Sequence, residues 1–293
     1  IVAVVARRLG VTLETVWEAV NNSPVEPERA KELGLIDEIG YRDEAYSKVL
    51  AEWAAKPGDL LYASRYQPRP NLAGAFRRDR AKVAVVSLRG PIETGRGRPG
   101  TFTGPSVGAD VVDEHLRAVL RDDQIKAVLF EVDSPGGSAV ASDFIRRSVL
   151  RLRESGRPVV ARMGAMAASG GYYVSMPCDE IVAHATTLTG SIGVLAGKFV
   201  TRGLYEKLGL KRESIRIGAA SGMLSTATEF SPEDWDRLNA ELDRIYRQFT
   251  TLAAQDRAMD HEHLESLARG RVWSGADACE RGLVDHVGDW RLA

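Results

Sequence analysis

Two short blocks of this sequence carry residue types that can do chemistry: Ser134-Pro135-Gly136-Gly137, and Ser169-Gly170-Gly171 preceded by Met166-Ala-Ala. A serine becomes a nucleophile when a sharp turn exposes its hydroxyl, a base takes its proton and backbone N–H groups face the oxyanion that develops. Small residues before Ser169 and two glycines after it allow such a turn. Gly136 and Gly137 supply N–H groups without a Cβ to hold a tetrahedral intermediate away, and the Gly170 N–H is a second donor. The blocks lie on successive units, 169 minus 136 or 33 residues apart. Each alone reads equally well as a turn or as close helix–strand packing. Together they point to acyl transfer with Ser169 as nucleophile and Gly136, Gly137 and Gly170 around the oxyanion.

The base is not evident. His115, His184, His261, His263 and His286 lack a motif of their own and read as surface or packing residues. A lysine of lowered pKa can replace histidine. Lys198, Lys207 and, more weakly, Lys211 follow the serine, but a solvated charge is the commoner fate of each.

From Lys82 onward, short β-branched runs alternate with amphipathic stretches. Strands are expected over 82–88 (a buried strand), 125–132, 158–163 and 180–184, and helices over 108–121, 139–155 and from Met166 to Ser175. Thr187 to Gly193 is expected to be a loop. Such alternation predicts an α/β fold with a mostly parallel sheet, whose ligand site lies at the carboxyl ends of the strands. The last third is helical, with Trp235, Leu238, Leu242, Ile245, Tyr246 and Phe249 at three- and four-residue steps along 232–256, the spacing of packing residues.

The 293 residues are 44% hydrophobic and 27% charged, with a formal net charge of −1, so composition excludes disorder and offers no electrostatic case for nucleic acid. Cys178 and Cys279 fit neither a disulfide framework nor a metal motif, and read as small buried hydrophobes. No cofactor or metal is expected. The opening apolar run of six residues ends at Arg7, short of the roughly 20 a membrane span needs.

Residues 30–40 and 278–288 share Ala, Glu, Gly, Leu, Asp and Gly at one offset of 248, 278 minus 30, without a gap. Extended backwards, the offset aligns the helical patterns preceding both turns. The expected organisation is a tail of a truncated first repeat over 1–55, a Pro/Gly- and charge-rich linker over 56–80, and a complete second repeat over 81–293 that carries the nucleophile. The absence of an initiator Met agrees with truncation or processing and by itself establishes neither.

Four blocks together resemble the signal peptide peptidase A (protease IV) family, of the long tandem-repeat type within the Clp protease/crotonase superfamily. They are residues 133–137, 163–173, 189–194, and 270–275 with 282–285. The resemblance implies a Clp protease/crotonase-like fold and a Ser/Lys mechanism without metal, hydrolysing signal peptides and other hydrophobic peptides. Ser169 is then the nucleophile, with Gly136, Gly137 and Gly170 at the oxyanion. In single-repeat members the lysine stands about fifty residues after the serine. The matching segment here, Ile215 to Met223, contains none. In long members it comes from the first repeat, which puts it before Ile1. The resemblance further implies a homo-oligomer, a tetramer in long members, at the outer, extracytoplasmic face of the cell membrane, anchored by a segment not in this chain. Tyr172 and residues 194–200 are candidates for an apolar substrate groove or the core. Two alternatives use the same fold: a crotonase-type acyl-CoA enzyme, whose glycine turn would stabilise a thioester enolate without a nucleophile, and a scaffold without catalysis.

Overall fold

Residues 1–52, 81–98, 100, 104–289 and 291–293 are described by a computed structural model. The linker expected over 56–80 lies outside them. In chain order the elements are helices α1 (Val2–Leu9), α2 (Leu13–Asn21), α3 (Pro27–Glu32) and α4 (Arg42–Glu52), then strands β1 (Lys82–Arg89), β2 (Ile92–Glu93) and β3 (Val107–Gly108). There follow α5 (Ala109–Leu120), β4 (Ile125–Ser134), α6 (Ala139–Glu154), β5 (Val159–Ala168), α7 (Gly170–Ser175), β6 (Glu180–Ala183) and β7 (Leu188–Gly190). The remainder is α8 (Arg202–Lys207), a 3-10 turn (Ala219–Gly222), α9 (Pro232–Asp256), α10 (His261–Leu267), β8 (Val272–Ser274), α11 (Gly275–Glu280) and β9 (His286–Val287).

The chain divides into two compact units. One joins Ile1–Pro68 to Ala196–Glu241, and the other joins Arg69–Leu195 to Leu242–Ala293. In the first, Ala6, Val16 and Ala19 are buried, and the 3-10 turn meets α2, where the Ala219 N–H donates to Asn21 Oδ1 at 3.1 Å. The second unit carries a sheet in the order β1-β4-β5-β6-β9, with β7 added to β5 and β8 to β7. Every pairing in it is parallel except β7 with β8. This is the α/β, Clp protease/crotonase-like arrangement, with a helical C-terminal third. Leu88, Phe130, Ile145, Leu152, Met163 and Met176 are among the fully buried core side chains. At β1 the structure departs from the expectation of a buried strand. Val86 and Leu88 face the core while Val83 and Val85 are 64% and 60% exposed, because successive side chains point to opposite faces of the sheet and only one face of β1 is covered.

The offset of 248 reappears in the local structure. Gly10 (φ 70) and Ala258 (φ 50) end their helices in the left-handed region, 258 minus 10 being 248, and Thr12 and Asp260 both cap the helix that follows. The bond from Val11 N–H to the Ala6 carbonyl recurs from Met259 to Ala254, and that from Leu35 to Ala30 recurs from Leu283 to Ala278. Helix α3 maps onto α11 residue for residue. The burial differs: Leu283 and Val284 are buried at 0% and 1%, whereas Ile36, the counterpart of Val284, is 39% exposed.

Candidate active site

Three strand ends build the site. β4 delivers Ser134, whose buried hydroxyl accepts the Gly136 N–H at 3.1 Å and so closes the turn 134–137. That turn is stapled to β2, since the Ile92 N–H donates to the Gly136 carbonyl (2.8 Å) and the Ser138 N–H to the Ile92 carbonyl (2.9 Å). Ser138 then caps α6, accepting from the Ala141 N–H.

β5 brings Ser169. Its register against β4 runs Val132 with Met163 and then Ser134 with Ala167, so residues 164–166 form a bulge opposite Asp133. Three side chains pin that bulge: Asp133 Oδ1 accepts the Met166 N–H (3.1 Å), Thr187 donates to the Gly164 carbonyl (2.7 Å) and Thr189 to the Ala167 carbonyl (2.7 Å). Sequence reasoning missed these supports, because a bulge leaves no local signature; the aspartate directly before Ser-Pro-Gly-Gly was the one available hint. Two elements shift accordingly. The helix expected from Met166 begins at Gly170, since Met166 to Ala168 pair with Leu188 to Gly190, and the expected loop 187–193 therefore contains β7.

Ser169 stands at the corner with φ 52 and ψ −118, a region that non-glycine residues occupy only when their surroundings hold them there. Its N–H donates to the Gly190 carbonyl and its carbonyl accepts from Tyr173, each at 2.9 Å. The hydroxyl does not cap α7, although Ser169 occupies the cap position. Nor does it take a hydrogen-bond partner elsewhere among the described residues. The backbone is clamped and the hydroxyl is left unused by the described residues.

The glycines converge on this serine. A Cβ added to Gly136 would lie 2.6 Å from the Gly170 nitrogen and 2.8 Å from Ser169 Cβ. One added to Gly170 would lie 3.1 Å from Gly136 Cα and 3.2 Å from the Gly137 nitrogen. The structure thus brings together all four residues singled out from the sequence. The N–H groups of Gly137 and Gly170 take no partner among the described residues. Helix α7 is only six residues long, so these two N–H groups are the directed donors at this corner.

The other candidates have surroundings of their own. Lys198 Nζ donates to the Met223 carbonyl at 2.8 Å and sits 4.2 Å over the Phe230 ring, while Lys207 and Lys211 are exposed. His115 and His263 are exposed, His184 contacts Thr186, His261 contacts Thr250, and His286 pairs with Glu180. Tyr172 belongs to the core, its hydroxyl donating to the Leu283 carbonyl at 3.0 Å and its acidity suppressed by burial. Leu195 and Phe199 are exposed. Cys178 is buried, and burial pushes its thiol pKa up. Among the described residues no group of His, Cys, Asp and Glu has the makings of a metal site, and no helix is long and apolar enough to cross a membrane.

Comparison with known proteins decides the family. The model of peptidase family S49 matches residues 151–293, the stretch that contains Ser169. A Synechocystis protein described as a protease is 36% identical over 210 residues, covering 71% of this chain and 70% of that protein. The chain belongs to peptidase family S49. A chloroplastic serine protease, SPPA, of Arabidopsis thaliana is 35% identical over 283 residues, 95% of this chain and 42% of that protein. Protease 4 of Salmonella typhi is 36% identical over 208 residues, 71% of this chain and 33% of that protein. The chain therefore spans less than half the length of these two relatives.

Proposed function

We propose that this chain carries the nucleophile and oxyanion half of a serine endopeptidase that hydrolyses signal peptides and other hydrophobic peptides by a Ser/Lys mechanism. The observation that carries this reading is the strained, unused Ser169 hydroxyl beside two free glycine N–H groups. Ser169 Oγ attacks the scissile carbonyl, and the oxyanion develops against the Gly137 and Gly170 N–H groups, with Gly136 allowing the close approach. Collapse expels the amine and leaves an acyl-enzyme that water hydrolyses. A crotonase-type reaction would need no nucleophile at position 169 and gives no reason for its backbone strain.

The base in this proposal is a lysine from the first repeat, outside residues 1–293. Support comes from three sides: the segment 215–223 holds no lysine, Lys198 is engaged elsewhere, and the local structure repeats at 248 residues. The Arabidopsis alignment, 283 residues long, includes most of the segment ahead of residue 81, which supports the same tandem organisation: a first-repeat tail over 1–55, a linker, and a second repeat over 81–293. The proposal extends to a homo-oligomer of tetramer size at the extracytoplasmic face of the membrane, with its anchor outside this chain.

Fluorophosphonate labelling of the full-length protein tests the reading. Covalent capture at Ser169, located by mass spectrometry and lost in Ser169→Ala, is expected. Acyl-CoA binding without labelling would overturn it.

A further inference from the structure

Beside Gly137 opens a cleft of about 410 Å3, lined by residues 91–94, Arg98, Gly137 and Ser138. Its wall is rigid with respect to the oxyanion donors, because Ile92 is bonded through both its N–H and its carbonyl to the turn 136–138 and pairs with Val107 on its other edge. A peptide whose carbonyl rests on the Gly137 N–H thus places a neighbouring side chain at this cleft.

Two lining residues are charged, and they are joined to each other. Arg98 Nε and Nη2 donate to the two carboxylate oxygens of Glu93 at 3.0 and 2.8 Å, a fork-to-fork pair. The Arg98 backbone is held on both sides by Ser106, its N–H donating to the hydroxyl (2.8 Å) and its carbonyl accepting the Ser106 N–H (3.1 Å). Hydrogen bonding from Arg98 keeps the Glu93 carboxyl below the usual carboxylate range, so it is ionised at neutral pH. A charged side chain entering the cleft meets its own sign beside the opposite one, so that the attraction of one member of the pair is offset by the repulsion of the other. An uncharged side chain meets no such penalty.

We propose that this cleft is a subsite for an uncharged residue of the peptide flanking the scissile bond, and that the Glu93–Arg98 pair is its charge filter. The inference rests on the peptidase reading above and adds the residues that set its selectivity. It makes the preference for hydrophobic peptides partly a matter of exclusion, with each charge of the pair masking the other.

The test is binding, so that it does not depend on turnover. Full-length protein carrying Ser169→Ala is titrated with fluorescent hydrophobic peptides bearing Ala, Lys or Glu at successive positions, read by anisotropy. The Ala peptides are expected to bind best. Adding Arg98→Gln is expected to improve the Lys peptide, at one position, by about five- to tenfold, since Glu93 is then unmasked. Adding Glu93→Gln is expected to improve the Glu peptide at that same position. Exchanging the two charges restores the preference for Ala, and the gains shrink at about 1 M salt, where the Debye length is roughly 3 Å. Equal changes for all peptides in the single variants, or no binding of any peptide, would overturn the charge filter. Failure of fluorophosphonate to label the parent at Ser169 would instead sink the peptidase reading and leave the binding result to be judged by itself.

Discussion

Gly136 lies against Gly170 so closely that a methyl group on the first would come within 2.6 Å of the nitrogen of the second. The backbones of two successive βα turns are in contact there, and that contact sets the spacing of the N–H groups proposed to hold the oxyanion. At φ 100 the Gly136 backbone would also strain any other residue. Gly136→Ala and Gly170→Ala are expected to lower the rate of Ser169 acylation by about 100-fold or more, the loss typical of a displaced oxyanion donor. Stopped-time labelling with a fluorophosphonate measures this, and near-parental rates in either variant would contradict the assignment.

Ser169 stores backbone strain of about 1–3 kcal/mol, a range usual for such conformations. Alanine keeps the Cβ that causes it, whereas glycine removes it. Ser169→Gly is therefore expected to melt several degrees above Ser169→Ala, although both are dead to the labelling probe. Calorimetry on the two variants side by side makes the comparison, and an alanine variant as stable as the glycine one would show that the corner is unstrained.

Asp133 accepts the Met166 N–H on the bulge leading to Ser169, and on the proposed reading it positions that serine. Removing the carboxylate leaves that N–H without its acceptor. Asp133→Ala is expected to slow labelling of Ser169 by roughly tenfold or more, the scale on which small misplacements reduce rate. Asp133→Asn, which keeps an acceptor oxygen, should recover most of it. Equal loss in both variants would mean that the charge matters and not the pinning.

The repeat supplies a stability prediction. Gly10 and Ala258 occupy the same left-handed corner 248 residues apart, but only the first is glycine. Ala258→Gly is expected to stabilise the chain, with the relief of αL strain, about 1–2 kcal/mol, outweighing the added entropy of the unfolded chain. Thermal denaturation decides it; a lowered melting temperature would show that Ala258 is accommodated without strain.

What the sequence determined by itself was what is written in local patterns. The alternation of β-branched runs with amphipathic stretches specified the α/β class. The paired glycine blocks pointed to Ser169, Gly136, Gly137 and Gly170, and the ungapped offset of 248 residues paired segments whose turns and caps are alike in three dimensions. The tertiary structure decided what depends on pairing between distant segments. Met166 to Ala168 are strand and not helix because β7 lies beside them, and β1 is half-exposed because only one face of it is covered. The bulge at 164–166, its supports Asp133, Thr187 and Thr189, and the meeting of Gly136 with Gly170 are likewise products of the fold. Residue types carry backbone freedom and chemical capacity, whereas the placement of a hydroxyl against an N–H is set by strand register, which no local stretch encodes.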